Sequence, residues 1–381
     1  MSNHDIIIVG AGPAGCASAI DLANLDRSVA ERVLLLDKAV FPRTKLCAGG
    51  ISVETDAELR ALGVDIDVPA LSIHTTRFDL PTGRLTFNHP NQFRIVRRRD
   101  FDYSLFKAAR ERGVIVHDGE AVIDVVTNRD EVLVQTAKDE YRAKILIAAD
   151  GANSKVRARL GLRRSGRLMI AMELHAPLAG AQTVGLTPNM AILDLRILNH
   201  GMPGYCWVFP AVSEGSPLIS MGIMAAPFGS GEITQLKTVF GTWLNSYGLD
   251  LNNFEVASHP SLRYEAKASC SQNRVLFVGD AAGVEPLFGE GIVSALAYGR
   301  IAAKSAFDAL RYQDFSFSDY EERVRSSAIG SVMRRRRMIA RRLYAKPKLA
   351  HFFLKQGALI RGLALLHVHK YGGQINWEAG T

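Results

Sequence analysis

The 381-residue sequence is poor in cysteine, and the little it has is scattered. Cys16, Cys47, Cys206 and Cys270 form no Cys-x-x-Cys pair, which excludes a thiol redox motif and a zinc ribbon. The N-terminus runs straight into an apolar strand, so no targeting segment is expected, and the four thiols read as those of a reducing, cytoplasmic setting. His367-Val368-His369 lacks the spacing that aims two helical imidazoles at one ion, so no metal is expected. No Gly-x-Ser-x-Gly or Cys–His arrangement marks a nucleophile. No uncharged apolar run approaches the roughly 20 residues that cross a bilayer. Internal repeats are lacking too. A chain with 48% hydrophobic and 22% charged residues that lacks these features is an ordinary globular protein, long enough for two domains.

Most of the chain also lacks an excess of either charge. The net +8 belongs to the tail: residues 311–381 hold 14 Lys+Arg against 5 Asp+Glu, and the first 310 residues hold 32 against 33. A neutral body argues against a nucleic-acid partner and for a local anionic partner of the tail.

What the sequence does have begins at Asp5–Val9, an apolar strand. Gly10-Ala11-Gly12-Pro13-Ala14-Gly15 follows, then a small-residue helix to Leu25 and a second strand, Val33–Leu36, that ends in Asp37. Strand, Gly-x-Gly-x-x-Gly, helix, strand and acid is the dinucleotide fingerprint in its required context. The glycines allow the turn, the pyrophosphate approach and the helix–strand contact. Asp37 stands where a ribose-binding acid belongs, with an ordinary surface acid as the other reading. A second contact is expected far along the chain. Val275–Val278 reads as a buried strand, Asp280 leaves its end, and Gly289-Glu290-Gly291-Ile292 opens a helix over Val293–Leu310. Free N–H groups at that helix start suit an electron-rich group.

Between these contacts, Lys38–Ser52 reads as a loop with two cations and a thiol, lining either a ligand or open solvent. Residues 54–64 look helical. Residues 70–95 alternate, with short strands at Leu85–Phe87 and Phe93–Val96. A helix capped by Asp100 or Asp102 runs to about Gly113. Strands follow at Val114–His117, Ala121–Val126, Glu131–Thr136 and Ala143–Ala149, the last ending in Asp150-Gly151. From 166 to 265 short alternating runs, at Met169–His175, Met190–Ile197, Tyr205–Pro210 and Leu218–Ala225, indicate an antiparallel sheet, with a helix near 231–247.

The glycine fingerprint, Arg98 four residues before Asp102, Asp150-Gly151 and Gly279-Asp280 together resemble the aromatic-hydroxylase superfamily of flavoproteins, over about residues 4–305. Three further motifs are similar to those of the geranylgeranyl reductase family: Lys45-Leu46-Cys47-Ala48-Gly49-Gly50, then Tyr205-Cys206-Trp207-Val208-Phe209-Pro210, then Gly279-Asp280 with Pro286 and Gly289-Glu290-Gly291. Asp37 stands where Glu is more usual there, and Ala48 where Gly is common. The resemblance implies an α/β fold. A Rossmann-like FAD-binding domain would be built from 1–75, 96–165 and 270–310. An inserted antiparallel β-sheet substrate domain would take 76–95 and 166–269, and a basic helical tail 311–381.

It implies further that Gly10, Gly12, Ala14, Gly15, Asp37, Lys45, Cys47, Ala48, Gly50, Arg98, Ala121, Asp150, Asp280, Gly289, Gly291 and Ile292 contact FAD. The expected activity is saturation of carbon–carbon double bonds in a geranylgeranyl or other isoprenoid chain, with hydride from flavin N5. Lacking a second glycine fingerprint, the chain would take electrons from transiently bound NADPH or a reduced protein carrier. An alkene also needs a proton, for which Tyr205 and Cys47 are the candidates. Cys47 packed on the flavin edge is the other reading. Tyr205, Trp207 and Phe209 would wall an apolar slot for the isoprenoid lipid, or else simply fill a core. Two other classes share the FAD motifs: a monooxygenase of an aromatic or polyketide ring, and a flavin-binding sensor or scaffold. A halogenase is disfavoured because Tyr205 stands where that group shows Trp.

The tail combines Arg334-Arg335-Arg336-Arg337, Arg341 and Arg342 with an apolar, partly basic stretch, 349–369. It suits peripheral contact with an anionic membrane, which a lipid substrate would require, or a solvated basic helix closing the substrate domain.

Overall fold

The computed structural model describes residues 2–164, 166–178, 185–228, 235–349 and 374–379. The stretch 350–373, with His367-Val368-His369 and most of the apolar part of the tail, lies outside them.

The first sheet is built on β1 (Ser2–Val9). It pairs in parallel with β2 (Val33–Leu36) on one side and β9 (Glu140–Ala148) on the other. β6 (Ile115–His117) extends the sheet beyond β2, and β16 (Val275–Phe277) extends it beyond β9. A two-residue strand, β15 (Ser271–Gln272), closes that edge, while β7 (Val122–Thr127) and β8 (Val132–Thr136) form an antiparallel flap on β9. Central parallel strands are covered on both faces, which explains why Ile6, Ile7, Ile8 and Val33–Leu36 are apolar without alternation and wholly buried. The helices on this sheet are α1 (Pro13–Leu25), the short α2 (Arg27–Ala30), α3 (Val53–Ala61), α4 (Arg98–Glu111), α5 (Lys155–Arg159) and α7 (Gly291–Tyr312).

The start of α4 corrects one expectation. Its N-cap is Arg97, and neither Asp100 nor Asp102 caps it. Asp100 sits in the first turn and pairs with Arg97, while Asp102 lies inside the helix, four residues after Arg98, and pairs with that guanidinium. An interior carboxylate flanked by two cations, Arg98 and Arg43, is stabilised more than a cap would stabilise it.

The second sheet runs β14 (Ala257–Leu262), β10 (Leu168–Pro177), β13 (Leu218–Ala225), β12 (Gly204–Ala211), β11 (Met190–Asp194), β4 (Ala70–Leu80), β5 (Gly83–Val96) and β17 (Gln374–Ala379), with β3 (Gly50–Ser52) also on β5. Its pairs are antiparallel except β11 with β4. β4 and β5 form one long hairpin in place of the expected short strands, and it enters this sheet at Ala70 rather than at 76. One face packs against α6 (Leu236–Asn245) through Phe240, Trp243 and Leu244. The other face turns toward the first domain. α8 (Tyr320–Ser326) leads to α9 (Ala328–Tyr344), whose Ile339, Ala340, Leu343 and Tyr344 join that inner face. β17 adds a strand to the tail that its composition did not announce, pairing with β5 from Gly83 to Asn88.

α1 and α7 approach closely along Ala14, Ala17, Ser18 and Gly299. Ser18 Oγ donates to the Gly299 carbonyl at 3.1 Å, and a Cβ at Gly299 would lie 2.5 Å from the Ala14 carbonyl oxygen. In an exposed helix Gly→Ala would gain about 1 kcal/mol of propensity. At Gly299 the steric term outweighs it, because backbone must move. Gly299→Ala is expected to destabilise the protein by about 1–3 kcal/mol, and thermal unfolding against wild type measures it.

Candidate active site

A cavity of about 1290 Å³ lies between the two sheets. At one end is the glycine turn. Gly10 takes φ +103°, and a Cβ at Gly15 would lie 1.8 Å from the Gly10 carbonyl oxygen, so both positions exclude a side chain. Gly15 is thereby a packing residue, and alone among the sequence-selected positions it does not line the cavity; Gly10, Gly12, Ala14 and Ala121 do. The Asp37 carboxylate accepts from the amides of Ala11 (2.7 Å) and Ala39 (2.8 Å), which ties the end of β2 to the turn. Asp150 accepts from the Val156 amide at 3.0 Å, while its buried Oδ1 has no partner among the described residues, and burial raises its pKa. A side-chain-free turn at a helix start, an acid at the strand end and an unsatisfied buried carboxylate oxygen fit FAD.

The middle of the cavity is charged. Buried Arg98 holds Asp102 through two bonds, 2.8 and 3.0 Å, and Arg43 reaches the same carboxylate at 3.2 Å. Burial opposes the charge on Arg98, but Asp102 and then Cys47 more than offset it, so its pKa is raised. Lys45 Nζ lies 2.6 Å from His259 Nε2, which is 4.0 Å from Asp280 Oδ2. Burial lowers the Lys45 pKa, against the pull of Asp280. Burial, then Lys45, pushes His259 down to about 4, so the imidazole is neutral and accepts from the ammonium. Burial likewise raises Asp280, opposed by Lys45 and Arg98. The exposed Cys47 thiol accepts from the Gly49 amide at 3.4 Å. Ala48, Gly50, Gly289, Gly291 and Ile292 complete this wall.

The far end is apolar, its floor the inner face of the second sheet. Register places Tyr205, Met224, Ala171 and His259 in one cross-strand row, with Trp207, Gly222, Glu173 and Ala257 in the next. Phe209 lies in the row beyond. The Tyr205 hydroxyl donates to the Phe288 carbonyl, which commits its hydrogen to the loop before α7. Sequence reasoning missed four contributors. Glu173 and His259 are single polar residues in strands and carried no motif. Glu285 is buried, accepts from the Phe288 amide at 2.8 Å and faces Arg336. α9 is the fourth, roofing the chamber with Ile329, Val332, Ile339 and Leu343. Its arginines are not equivalent. Arg336 bridges to Glu290 at 2.7 Å, Arg337 pairs with Glu265, and Arg335 is exposed at the cavity rim.

The FAD-binding-domain family model matches residues 3–296. The chain is 29% identical over 322 residues to menaquinone reductase of Mycobacterium tuberculosis, covering 79% of this chain and 76% of that one. It is 29% identical over 329 residues to digeranylgeranylglycerophospholipid reductase 2 of Methanopyrus kandleri, covering 82% and 79%. The fold matches a geranylgeranyl bacteriochlorophyll reductase-like protein of Thermoplasma acidophilum with a TM-score of 0.69 at 20% identity, over 93% of this chain and 87% of the other. It also matches a halogenase, PltM, with a TM-score of 0.65 at 19% identity over 84% and 73%, so the architecture by itself does not separate reductase from halogenase.

His259 makes stability depend on acid. Its folded pKa lies below the ordinary value of 6.5, so the unfolded chain takes up a proton first and stability is lost as pH falls from 6.5 toward about 4. In urea melts of the FAD-free protein, His259→Gln is expected to flatten the slope of stability against pH in that window. A slope equal to wild type would show that the imidazole is already charged in the fold.

Proposed function

The chain belongs to the FAD-binding-domain family and is an FAD-dependent oxidoreductase; from that premise we propose that it saturates carbon–carbon double bonds in the isoprenoid chain of a lipid. The observation that carries this reading is the continuity of the cavity, which runs from the glycine cradle into a slot walled by Tyr205, Trp207, Phe209, Phe78 and Leu343. A long hydrocarbon needs such a slot open onto the cofactor, with few polar groups along it. The names of relatives that reduce menaquinone or prenylated glycerophospholipids agree with it.

In this reading the glycine turn and the α1 N-terminus hold the pyrophosphate of FAD, with Arg43 beside Gly12 as its counter-charge, and Asp37 takes a ribose hydroxyl. Arg98, Asp150 and Asp280 hold the rest of the cofactor, and Lys45 stays charged through its carboxylate neighbour. Reduced FAD, when bound, supplies the hydride equivalent, and NADPH or a reduced protein carrier replenishes it. Cys47 lies beside Arg98 and is assigned to the cofactor edge. Tyr205, its hydrogen engaged by Phe288, is assigned to the substrate wall. The floor keeps the reacting carbons dry and oriented.

The rim supports peripheral membrane contact. Arg341, Arg342 and Lys346 are exposed beside Met338 (48% exposed) and Leu349 (50%), a basic surface with apolar points near the chamber roof. Among the described residues no helix is long and apolar enough to cross a membrane. Arg341→Gln with Arg342→Gln is expected to weaken co-sedimentation with phosphatidylglycerol vesicles by about thirtyfold, at roughly 1 kcal/mol per charge, without changing unfolding. Equal binding by the double variant would sink the membrane contact.

The function itself is tested by reducing the purified flavoprotein with dithionite under strict anaerobiosis, adding a polyprenyl-lipid extract and following product masses. Gain of hydrogen pairs without oxygen is the expected outcome. No anaerobic change, followed by oxygen-dependent oxidation of the substrate once air is admitted, would replace the reductase by the monooxygenase.

A further inference from the structure

We propose that Glu173 is the acid that gives the reacting alkene its proton. This rests on the reductase reading and names the group that reading leaves open.

Glu173 stands on β10, is 2% exposed and lines the chamber. Its cross-strand neighbour is Gly222, and Trp207 follows in the same row. Position 222 carries no side chain because the Trp207 indole lies across it; a Cβ there would meet Cζ2 at 2.1 Å. That placement aims the indole N–H at Ser220 Oγ, 3.0 Å away, and Ser220 Oγ lies 2.6 Å from Glu173 Oε1. An indole N–H can only donate, so Ser220 accepts from it with one lone pair, and the Ser220 hydroxyl donates its own hydrogen to Glu173 Oε1. With the Ser220 hydrogen on Oε1, a proton on Glu173 rides on Oε2, the oxygen Ser220 does not use.

The surroundings favour that proton. A carboxylate facing an apolar chamber loses its hydration and needs a cation to offset the loss. Its basic neighbour, half-exposed His175, is 3.9 Å from Oε1, and burial lowers its pKa, so it is neutral near pH 7. The other titratable group on the flanking strands is His259 on β14, one row away and also neutral; β13 brings only Gly222 and Ser220, and β12 brings Trp207. Burial pushes Glu173 up to about 7 although the Ser220 hydroxyl favours its charged form. A carboxylic acid with that value can both give a proton near neutrality and be recharged by water. Tyr205 cannot match it, because burial raises its pKa well above the ordinary value and its hydrogen is held by Phe288.

The step balances. The alkene π bond opens, one carbon gains a C–H bond from the two-electron hydride equivalent of the reduced flavin, and the other gains a C–H bond from the Glu173 proton. The flavin is oxidised by two electrons and the alkene reduced by two. A carboxylate remains, held by the Ser220 hydroxyl, until solvent returns a proton past His175.

Glu173→Gln keeps the size of the side chain and an amide oxygen for Ser220, but removes the transferable proton. In anaerobic single turnovers of the reduced holoenzyme with the polyprenyl-lipid extract, it is expected to slow hydrogen-pair gain by about 10²–10⁴-fold, with FAD affinity and spectrum as in wild type. Infrared titration of the substrate-free holoenzyme is expected to show a carboxylic-acid band that titrates near neutral pH, is missing in Glu173→Gln and persists to higher pH in Ser220→Ala. Wild-type turnover rates in Glu173→Gln, or no such band in wild type, overturn the assignment of Glu173. No hydrogen-pair gain by wild type, with the band present, instead overturns the reductase reading, and the proton-donor role falls with it.

Discussion

The approach of α7 to α1 is the constraint on which the site depends. Two motifs almost 270 residues apart in the chain can serve one cofactor only if their helices start side by side, and that requires small residues where they meet. Gly299 sits against Ala14, Ala17 and Ser18, and Gly279 is so near that a Cβ there would be 2.9 Å from the Ala14 Cβ. The third motif is bound into the same unit by Arg157. It follows the Asp150-Gly151 turn, donates to the Ala281 carbonyl at 3.1 Å and stacks on the Phe277 ring. The cradle is therefore rigid before any ligand enters, and the ordering cost of binding falls on the ligand.

Charge is distributed by a different logic. The first domain gathers Arg43, Lys45 and Arg98 in the middle of the cavity. Asp102 alone serves two guanidiniums, and Asp280 is left 4.0 Å from a neutral imidazole. Three cations gathered at one part of the cavity favour the doubly negative pyrophosphate of a dinucleotide there. The second domain contributes almost no charge to its chamber face. Keeping the two environments in one cavity lets the cofactor be held electrostatically and, in the proposed reading, the hydrocarbon by exclusion of water.

The fold was legible where its signal was local. The strand–glycine–helix–strand–acid series fixed the first domain because each turn residue has one conformational use, and β13 falls on the expected Leu218–Ala225. What was not legible depends on distant partners. Asp102 looks like a cap until Arg43, 59 residues earlier in sequence, is brought against it. The hairpin of β4 and β5 looked broken because its polar residues, Gln92 and Thr76, are buried and bonded to each other, which alternation cannot disclose. Glu173 and His259 lie in strands of mixed composition, and only their cross-strand rows show that they face a cavity. The tail looked uniformly basic; which arginine is structural follows from where Glu265, Glu285 and Glu290 lie.

The roof of the chamber gives that last distinction its consequence. Arg336 reaches two glutamates of the loop before α7, and the Tyr344 hydroxyl donates to the Leu287 carbonyl in the same loop, to which Tyr205 is also bonded from the floor. Floor, roof and cofactor helix thus converge on residues 285–290. Displacing the roof breaks bonds to the very segment that ends at Gly291, where α7 begins. Burial makes those bonds strong, since Glu285 is 2% exposed and its carboxylate takes backbone amides as well as Arg336. In the proposed reading, a lipid entering under α9 either slips past exposed Arg335 at the rim without disturbing the latch, or opens it and loosens the cofactor contact at the same time. The first route leaves the cradle intact through every cycle, and it is the one that a rim carrying exposed positive charge beside an apolar slot favours.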